Sequence, residues 1–309
     1  MNINLGLSGF LHVKIGKSEH DIRQEYQFNN MITNTGLDSL SDDSPVTLTQ
    51  YCRVGQSSAA PEESQADLVA RWGDASAAGP SGSSTNSGGS PWWHAYTRKY
   101  QFKAGSVSGA PLGEIGFFDS NQEDAPMFSR ALFKDSDGNP ITINVLEDEI
   151  LFIEYTLRMF PPENDFTGTL TIDGVVHTVV ARALAVGGSG WSLNGDLSRT
   201  YSQQVYFRES DELVSIDANG PVLNPSTKVN VSYAAYSAGS YSRSVSASLG
   251  LNQANFATGI GGLAILSSSG AWRFQVKITP KIMKDNKSVL TLNSFFTLKW
   301  GRHSGVKGD

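Results

Sequence analysis

The chain has 309 residues, a formal net charge of −6 and a single cysteine, Cys52. Its basic residues are scattered rather than clustered, which argues against a nucleic-acid partner. No apolar run approaches the roughly 18 residues of a membrane span. One cysteine excludes an intrachain disulfide, and an unbridged chain without a signal-peptide pattern fits assembly in a reducing cytoplasm.

The composition predicts an all-β protein. Gly is frequent (31 residues), charged residues make up only 17% of the chain, and few segments have helical periodicity. Residues 4–15 and 96–102 alternate with period 2, and 47–54 is a further strand candidate. Spacings of 3 to 5 residues predict one short helix over about 32–41, with Asn34 or Thr35 as N-cap. We therefore expect strands, long loops and at most short helices.

A long exposed loop is predicted over 56–91, because Ser, Ala, Gly, Asp and Pro dominate it. Within it, Gly79–Ser90 has almost no apolar side chains with which to offset the entropy of ordering. We expect this segment to pack against a neighbouring subunit or to be mobile in the isolated protein.

The central stretch from Leu112 to Pro161 predicts consecutive antiparallel strands. Residues 141–145 alternate as a half-buried strand does, and Asp135–Asn139 has the Gly and Asn of a tight connection. Residues 150–157 are apolar enough for a strand that is covered on both faces.

The second half of the chain resembles the first in the order of its motifs. Residues 174–180 are similar to 9–15, and 241–245 to 96–100, at offsets of about 140 to 165. We predict two related antiparallel β-sandwich-like units, 1–162 and 163–309. Equivalent hairpins are expected at about 128–157 and 272–299.

No pattern of catalytic or cofactor-binding residues is present. The five histidines form no zinc-hydrolase motif, although His94 lies beside a Trp pair, and there is no nucleophile elbow or phosphate loop. Asp135, Asp137 and Asn139 have the spacing of calcium ligands, but Leu146 stands where the loop needs Glu. We interpret this segment as a turn, with a cation site as the alternative, and predict no catalytic, cofactor or metal residues.

Aromatic residues in two segments are the candidate interface residues. They follow the long loop in the first unit and occupy the matching place in the second, and such residues anchor protein interfaces. A sugar-stacking platform and burial in the chain's own core are the alternatives. The candidates are Trp92, Trp93, Tyr96, Tyr233, Tyr236 and Tyr241.

Several short motifs resemble a family of tailed-bacteriophage virion proteins of the tail, neck or fibre region. These are N-N-M-I-T-N-T-G-L-D-S-L at 29–40, E-I-G-F-F at 114–118, F-S-R-A at 128–131, D-G-N-P-I-T-I at 137–143 and W-G-R at 300–302. The resemblance implies a virion component that works as a homo-oligomer.

The leading hypothesis is a structural virion protein, not an enzyme, assembled in the bacterial host cytoplasm. It would form a symmetric oligomer that mounts or connects other tail, neck, baseplate or fibre proteins. The alternative is a receptor-binding tail fibre protein that recognises a host-surface glycan. A tail-associated polysaccharide hydrolase is the third hypothesis.

Overall fold

The computed structural model describes residues 1–86, 88–188, 191–193, 204–266 and 273–303. Within these ranges the chain forms eighteen strands and two short helices. The predicted all-β fold is therefore confirmed. Neither described helix is long and apolar enough to cross a bilayer.

The chain forms two compact units. The first unit comprises Leu7–Ser84, Ala95–Met159 and Arg302–Asp309, and the second comprises Met1–Gly6, Thr85–His94 and Phe160–Gly301. The change from one unit to the other between Met159 and Phe160 lies close to the predicted boundary at 162. Three shorter segments, at 1–6, 85–94 and 302–309, belong to the unit formed mainly by the other half of the sequence.

The first unit contains two sheets. One has the strand order β3-β9-β8-β4-β5, and the other has the order β2-β1-β10-β7-β6. The elements are β1 (Asn2–Ser18), β2 (Asp21–Asn29), β3 (Met31–Ile32), α1 (Asn34–Ser39), α2 (Pro45–Leu48), β4 (Tyr51–Gly55), β5 (Arg71–Ala77), β6 (Ser81–Thr85), β7 (His94–Phe102), β8 (Glu114–Phe118), β9 (Met127–Leu132) and β10 (Ile150–Phe160).

The second unit has the strand order β11-β12-β17-β16-β13-β14-β15-β18, and the first residues of β1 pair with β18. The backbone N–H of Thr297 donates to the carbonyl of Met1 at 2.7 Å in this pairing. The strands are β11 (Phe166–Ile172), β12 (Val175–Ala183), β13 (Gln204–Arg208), β14 (Ser226–Tyr233), β15 (Ser242–Leu249), β16 (Ile260–Leu266), β17 (Arg273–Ile282) and β18 (Leu290–Arg302).

Alternation in the sequence gives the long strands one buried face. In β1 every second residue from Ile3 to Val13 is buried, and the residues between them are exposed or half-buried. Strand β10 alternates in the same way, so the prediction that 150–157 is covered on both faces is wrong. Its outward-facing residues, such as Phe152 and Glu154, remain partly accessible.

The predicted short helix is confirmed, but its N-cap lies one residue before the first of the two expected residues. The Thr33 side chain, not Asn34 or Thr35, caps α1 by accepting the Gly36 N–H at 2.9 Å. The first residues of the predicted strand 47–54 instead end helix α2, where Pro45 occupies the first turn and Ser44 is the N-cap. Only Tyr51–Gly55 forms the strand.

Three further local predictions need correction. The predicted loop 56–91 contains strands β5 and β6, although all five residues of β6 are exposed as expected. Residues 141–145 make only an isolated bridge, between Ile143 and Leu112. The segments 128–157 and 272–299 are not hairpins, because β9 and β10 lie in different sheets and β17 and β18 are not neighbours. Residue 272 lies outside the described residues.

The two units share a strand order. In the first unit β3-β9-β8-β4-β5 are neighbours, and in the second β12-β17-β16-β13-β14 are neighbours, in matching chain order. Outside these sets, β7 lies beside β10 in the first unit, as β15 lies beside β18 in the second. This correspondence agrees with the predicted similarity of 241–245, at β15, to 96–100, in β7, but it places β12 opposite β3 and so does not agree with that of 174–180 to 9–15. The common ancestry of the two units stays a prediction.

Candidate functional site

Residues from four of the five short motifs lie close together in the first unit, in what we call the motif cluster: Asn30–Asn34, Glu114–Phe118, Phe128–Ala131 and Arg302. The motif at 137–143 is not part of it. Strand β3 pairs with β9 and β9 pairs with β8, so three of the motifs are hydrogen-bonded neighbours. Helix α1 approaches so closely that a Cβ on Gly36 would lie 2.0 Å from the Phe128 carbonyl oxygen. Glycine is therefore required there for packing.

A buried ion pair lies at the centre of the motif cluster. Glu114 and Arg130 are the charged residues of E-I-G-F-F and F-S-R-A, and both side chains are 0% exposed. The Arg130 Nε donates to the Glu114 carboxylate at 2.8 Å. The same carboxylate accepts the backbone N–H groups of Val69 and Ala70 at 3.1 and 2.7 Å.

The motif cluster also fixes residues 56–70. The Arg130 guanidinium donates to the Gln65 side chain at 2.8 Å and to the Ala59 carbonyl at 2.9 Å. Arg302 donates to the Ile32 carbonyl at 2.6 Å and forms an ion pair with Glu63 at 2.9 Å. Arg130 is fully buried, and a buried charge is stable only when it is paired and hydrogen-bonded as Arg130 is. The motifs thus hold a long segment onto the sheet.

Tyr155 on β10 contacts three parts of the motif cluster. Its ring stacks on Phe117 at a centroid distance of 4.1 Å, and its hydroxyl receives hydrogen bonds from Asn30 at 3.2 Å and Ser129 at 3.5 Å. Complete burial raises the pKa of Tyr155 to about 12. The phenol therefore stays neutral at physiological pH and acts in packing.

The second unit fixes the loop after β13 with different residues. Arg208, which is fully buried, donates to the Glu212 carbonyl at 2.6 Å, and Gln275 on β17 exchanges two hydrogen bonds with the backbone of Val214. Burial lowers the pKa of Arg208. Buried polar side chains of neighbouring strands therefore hold the loops after both β4 and β13.

In each unit a glycine on a neighbouring strand makes room for one long, buried side chain, which is Glu114 in the first unit and Arg208 in the second. In the first unit Gly55 pairs with Glu114, and a Cβ on Gly55 would lie 2.5 Å from the Glu114 Oε1. In the second unit Arg208 pairs with Gly262, where a Cβ would lie 2.9 Å from the Arg208 Nε. The long side chain thus comes from β8 in one unit and from β13 in the other.

The candidate interface residues after the long loop have different environments. Trp92 and Trp93 are half-buried, whereas Tyr96 is only 9% exposed. The Trp92 ring lies over Gly187, where an added Cβ would be 2.6 Å from the ring. The Trp92 backbone N–H donates to Glu163 at 2.9 Å. Trp92 therefore packs at least partly on its own chain, while Trp93 keeps a partly accessible surface.

The tyrosines in the second unit are all half-buried. Tyr236 stacks on Trp300 at 5.8 Å, and the Arg243 guanidinium lies 6.0 Å from the Tyr233 ring. Tyr241 has a positive φ of 44°. The three residues belong to β14, the turn that follows it and the residue before β15, so they share one region of the second unit.

His94 is buried in the second unit, where its two ring nitrogens connect Thr85 and Val186. Its Nε2–H donates to the Val186 carbonyl at 2.8 Å, which leaves Nδ1 to accept from the Thr85 hydroxyl at 3.1 Å. Its ring stacks near Trp191 at 6.4 Å. Burial lowers the pKa of His94, since it disfavours the imidazolium. This environment is that of a neutral, satisfied histidine.

The Asp135–Asn139 segment is a turn. The Asp135 carboxylate accepts the backbone N–H groups of Asp137 and Asn139 at 3.0 and 2.8 Å, and these bonds lower its pKa. Among the described residues, no group of three or more His, Cys, Asp or Glu side chains is placed to hold a metal ion.

A groove of about 570 Å³ lies on the outer face of the sheet β2-β1-β10-β7-β6. Its lining is not predictable from the sequence, because the residues come from separate strands. Its residues include Lys14, Lys99, Glu19 and Glu154, so the fixed charges of these four balance. The Lys99 ammonium lies 3.6 Å from Glu154. The other polar and aromatic lining side chains are His12, His20, Tyr100, Gln101 and Phe152.

Comparisons with known proteins give no assignment: the chain matches no protein-family model, no curated protein and no solved structure.

Proposed function

We propose that this chain is a structural component of a bacteriophage virion, in the tail, neck or baseplate region. In this proposal it forms a symmetric homo-oligomer that mounts or connects other tail or fibre proteins, and it has no catalytic role. The particle is assembled in the bacterial host cytoplasm.

The observation that carries the proposal is the motif cluster. Two charged residues of the motifs, Glu114 and Arg130, are buried and hold residues 56–70 on a sheet, as Glu114 does through Val69 and Ala70. Residues used in this way stabilise the fold of the protein. A structural subunit of a virion acts through its fold, because it binds to other subunits by the complementarity of their surfaces.

The test is the mass and symmetry of the protein, first in solution and then in the intact particle. Light scattering on the purified chain and cryo-electron microscopy of the virion should both give the same integer number of copies. A protein absent from the purified particle would refute the proposal.

Substitution of the aromatic candidates tests the interface. Trp93→Ala should reduce the oligomeric mass while leaving the melting temperature of the monomer unchanged. Trp191 is 3% exposed, so Trp191→Ala is the control for loss of core packing, which costs about 3–5 kcal/mol for a buried Trp. If Trp93→Ala unfolds the monomer as Trp191→Ala does, Trp93 is a core residue.

The outer-face groove favours a second candidate function, recognition of a host-surface glycan. Its charges balance, and donors and acceptors lie around the half-buried ring of Phe152, which suits a neutral ligand rich in hydroxyl groups. A glycan array tests this function, and incubation with bacterial polysaccharide tests hydrolysis. Binding should be lost in Phe152→Ala and Gln101→Ala and retained in Thr178→Ala, a change on an exposed residue of the second unit.

A further inference from the structure

The edges of the sheets differ in how they are protected. An edge strand presents unpaired backbone N–H and C=O groups that can pair with another chain, and proteins block such edges with charges, Pro or very short strands. In the first unit, the strands with one neighbour among the described residues are β2, β3, β5 and β6. In the second unit, β11 pairs only with β12.

Three of these edges carry the usual protection. Strand β2 has Asp21, Arg23 and Glu25 along its length. Strand β5 has Arg71 and Asp74, and its register with β4 is irregular. Strand β3 is two residues long. Pairing of these edges with another chain is therefore disfavoured.

Strands β6 and β11 lack this protection. The sequence of β6 is S-G-S-S-T and that of β11 is F-T-G-T-L-T-I, with no charged residue and no Pro in either. Thr167, Thr169 and Thr171 of β11 are exposed, and so is every residue of β6. Each strand is thus an uncharged and accessible edge.

The internal correspondence between the units indicates which second neighbour β11 is without among the described strands. Strand β11 forms a hairpin with β12 as β1 does with β2, and β2 continues after Asn30 as β3, the counterpart of β12 in the shared strand order. Strand β1 has a second neighbour, β10. The matching neighbour of β11 would be β18. The start of β1 lies beside β18 instead, so one edge of β11 is left open among the described residues.

We propose that the open edge of β11 in one copy pairs with the open edge of β6 in a second copy of this chain. The inference rests on the proposed homo-oligomer and names its contact. Because both strands are uncharged, the pairing brings no like charges together. Because the two edges are different, the contact is heterologous, and repetition of it produces a ring or a filament.

Two lysine variants test the pairing. Thr169→Lys protects the edge of β11 and Ser83→Lys protects the edge of β6, as lysines do on natural edge strands. The control is Thr178→Lys, because Thr178 is exposed, pairs directly with Thr169 and has a second neighbour, Thr279 on β17. All three variants replace an exposed polar residue on a strand, and circular dichroism and the unfolding midpoint verify their fold.

Each edge variant should be monomeric in light scattering, whereas Thr178→Lys should keep the wild-type mass. An equimolar mixture of Thr169→Lys and Ser83→Lys should form a 1:1 dimer and no larger species, since one intact β6 meets one intact β11. A Ser83→Lys protein that still dimerises alone would show self-pairing of β11 and overturn the proposal.

The failure of the edge contact can be told apart from the failure of the proposed function. If both edge variants keep the wild-type mass, the homo-oligomer stands and the β6–β11 contact is wrong. If the wild-type chain is monomeric both in solution and in the particle, the contact and the proposed homo-oligomer fail together.

Discussion

Replacement of Glu114 by Ala should release residues 56–70 from the first unit. The change removes the acceptor of three hydrogen bonds, from Arg130, Val69 and Ala70. It also leaves the Arg130 guanidinium, which is 0% exposed, without its counter-charge. Removal of one partner of a buried ion pair costs about 3–5 kcal/mol of unfolding free energy. That is a large part of the roughly 5–15 kcal/mol that stabilises a domain.

Hydrogen exchange followed by mass spectrometry measures this release directly. The amides of Val69 and Ala70 should lose protection in Glu114→Ala, and urea unfolding should give the free energy. Replacement of both Glu114 and Arg130 by Met should restore much of the stability, because no unpaired charge then remains.

The matched control is the ion pair between Asp165 and Arg182 in the second unit, whose side chains are 35% and 27% exposed. Asp165→Ala should cost no more than about 1 kcal/mol, as is usual for exposed pairs. The reasoning is refuted if Glu114→Ala costs as little as Asp165→Ala and leaves the amides of Val69 and Ala70 protected.

Two further predictions concern the second unit. Because the folded-state pKa of His94 is lowered, the unfolded chain takes up the proton first as the pH falls below about 6.5. Stability should therefore decrease between pH 7 and pH 5 more in the wild type than in His94→Gln, and equal losses in thermal melts would contradict this. Gly187→Ala should displace the Trp92 ring, because its Cβ would lie 2.6 Å from that ring. The expected red shift in tryptophan emission should be absent from Gly82→Ala, where nothing lies within 4 Å.

The sequence predicted the strands with alternating or apolar residues and missed β5 and β6, for a physical reason. Burial alternates along β1 and β10 as their apolar residues do, so the pattern carries the information. Strand β6 consists of Ser, Gly and Thr, so neither its pattern nor the β-strand propensity of its residues predicts it. It is a strand because it pairs with β7. Residues 141–145 alternate in sequence but form only one isolated β-bridge, between Ile143 and Leu112, and no strand.

The motifs of the candidate site were visible in the sequence, but their contacts were not. Glu114 and Arg130 are far enough apart along the chain that only the pairing of β8 with β9 brings them together. The charges within two otherwise apolar motifs were the available signal, since such charges are buried only when paired. The outer-face groove gave no signal, because neighbouring strands contribute its residues.

The reversed arrangement of Gly55 with Glu114 and Arg208 with Gly262 has a consequence for folding. A chain with two similar units can misassemble by pairing a strand of one with a strand of the other. Were β4 to pair with β16 in matching register, two glycines would face each other over an empty space. Were β13 to pair with β8, Arg208 and Glu114 would face each other without the glycine that makes room for each of them in its own unit, although their opposite charges attract. The reversal therefore leaves the exchanged pairing of β4 with β16 with an unfilled space, and this disfavours that exchange as the chain folds.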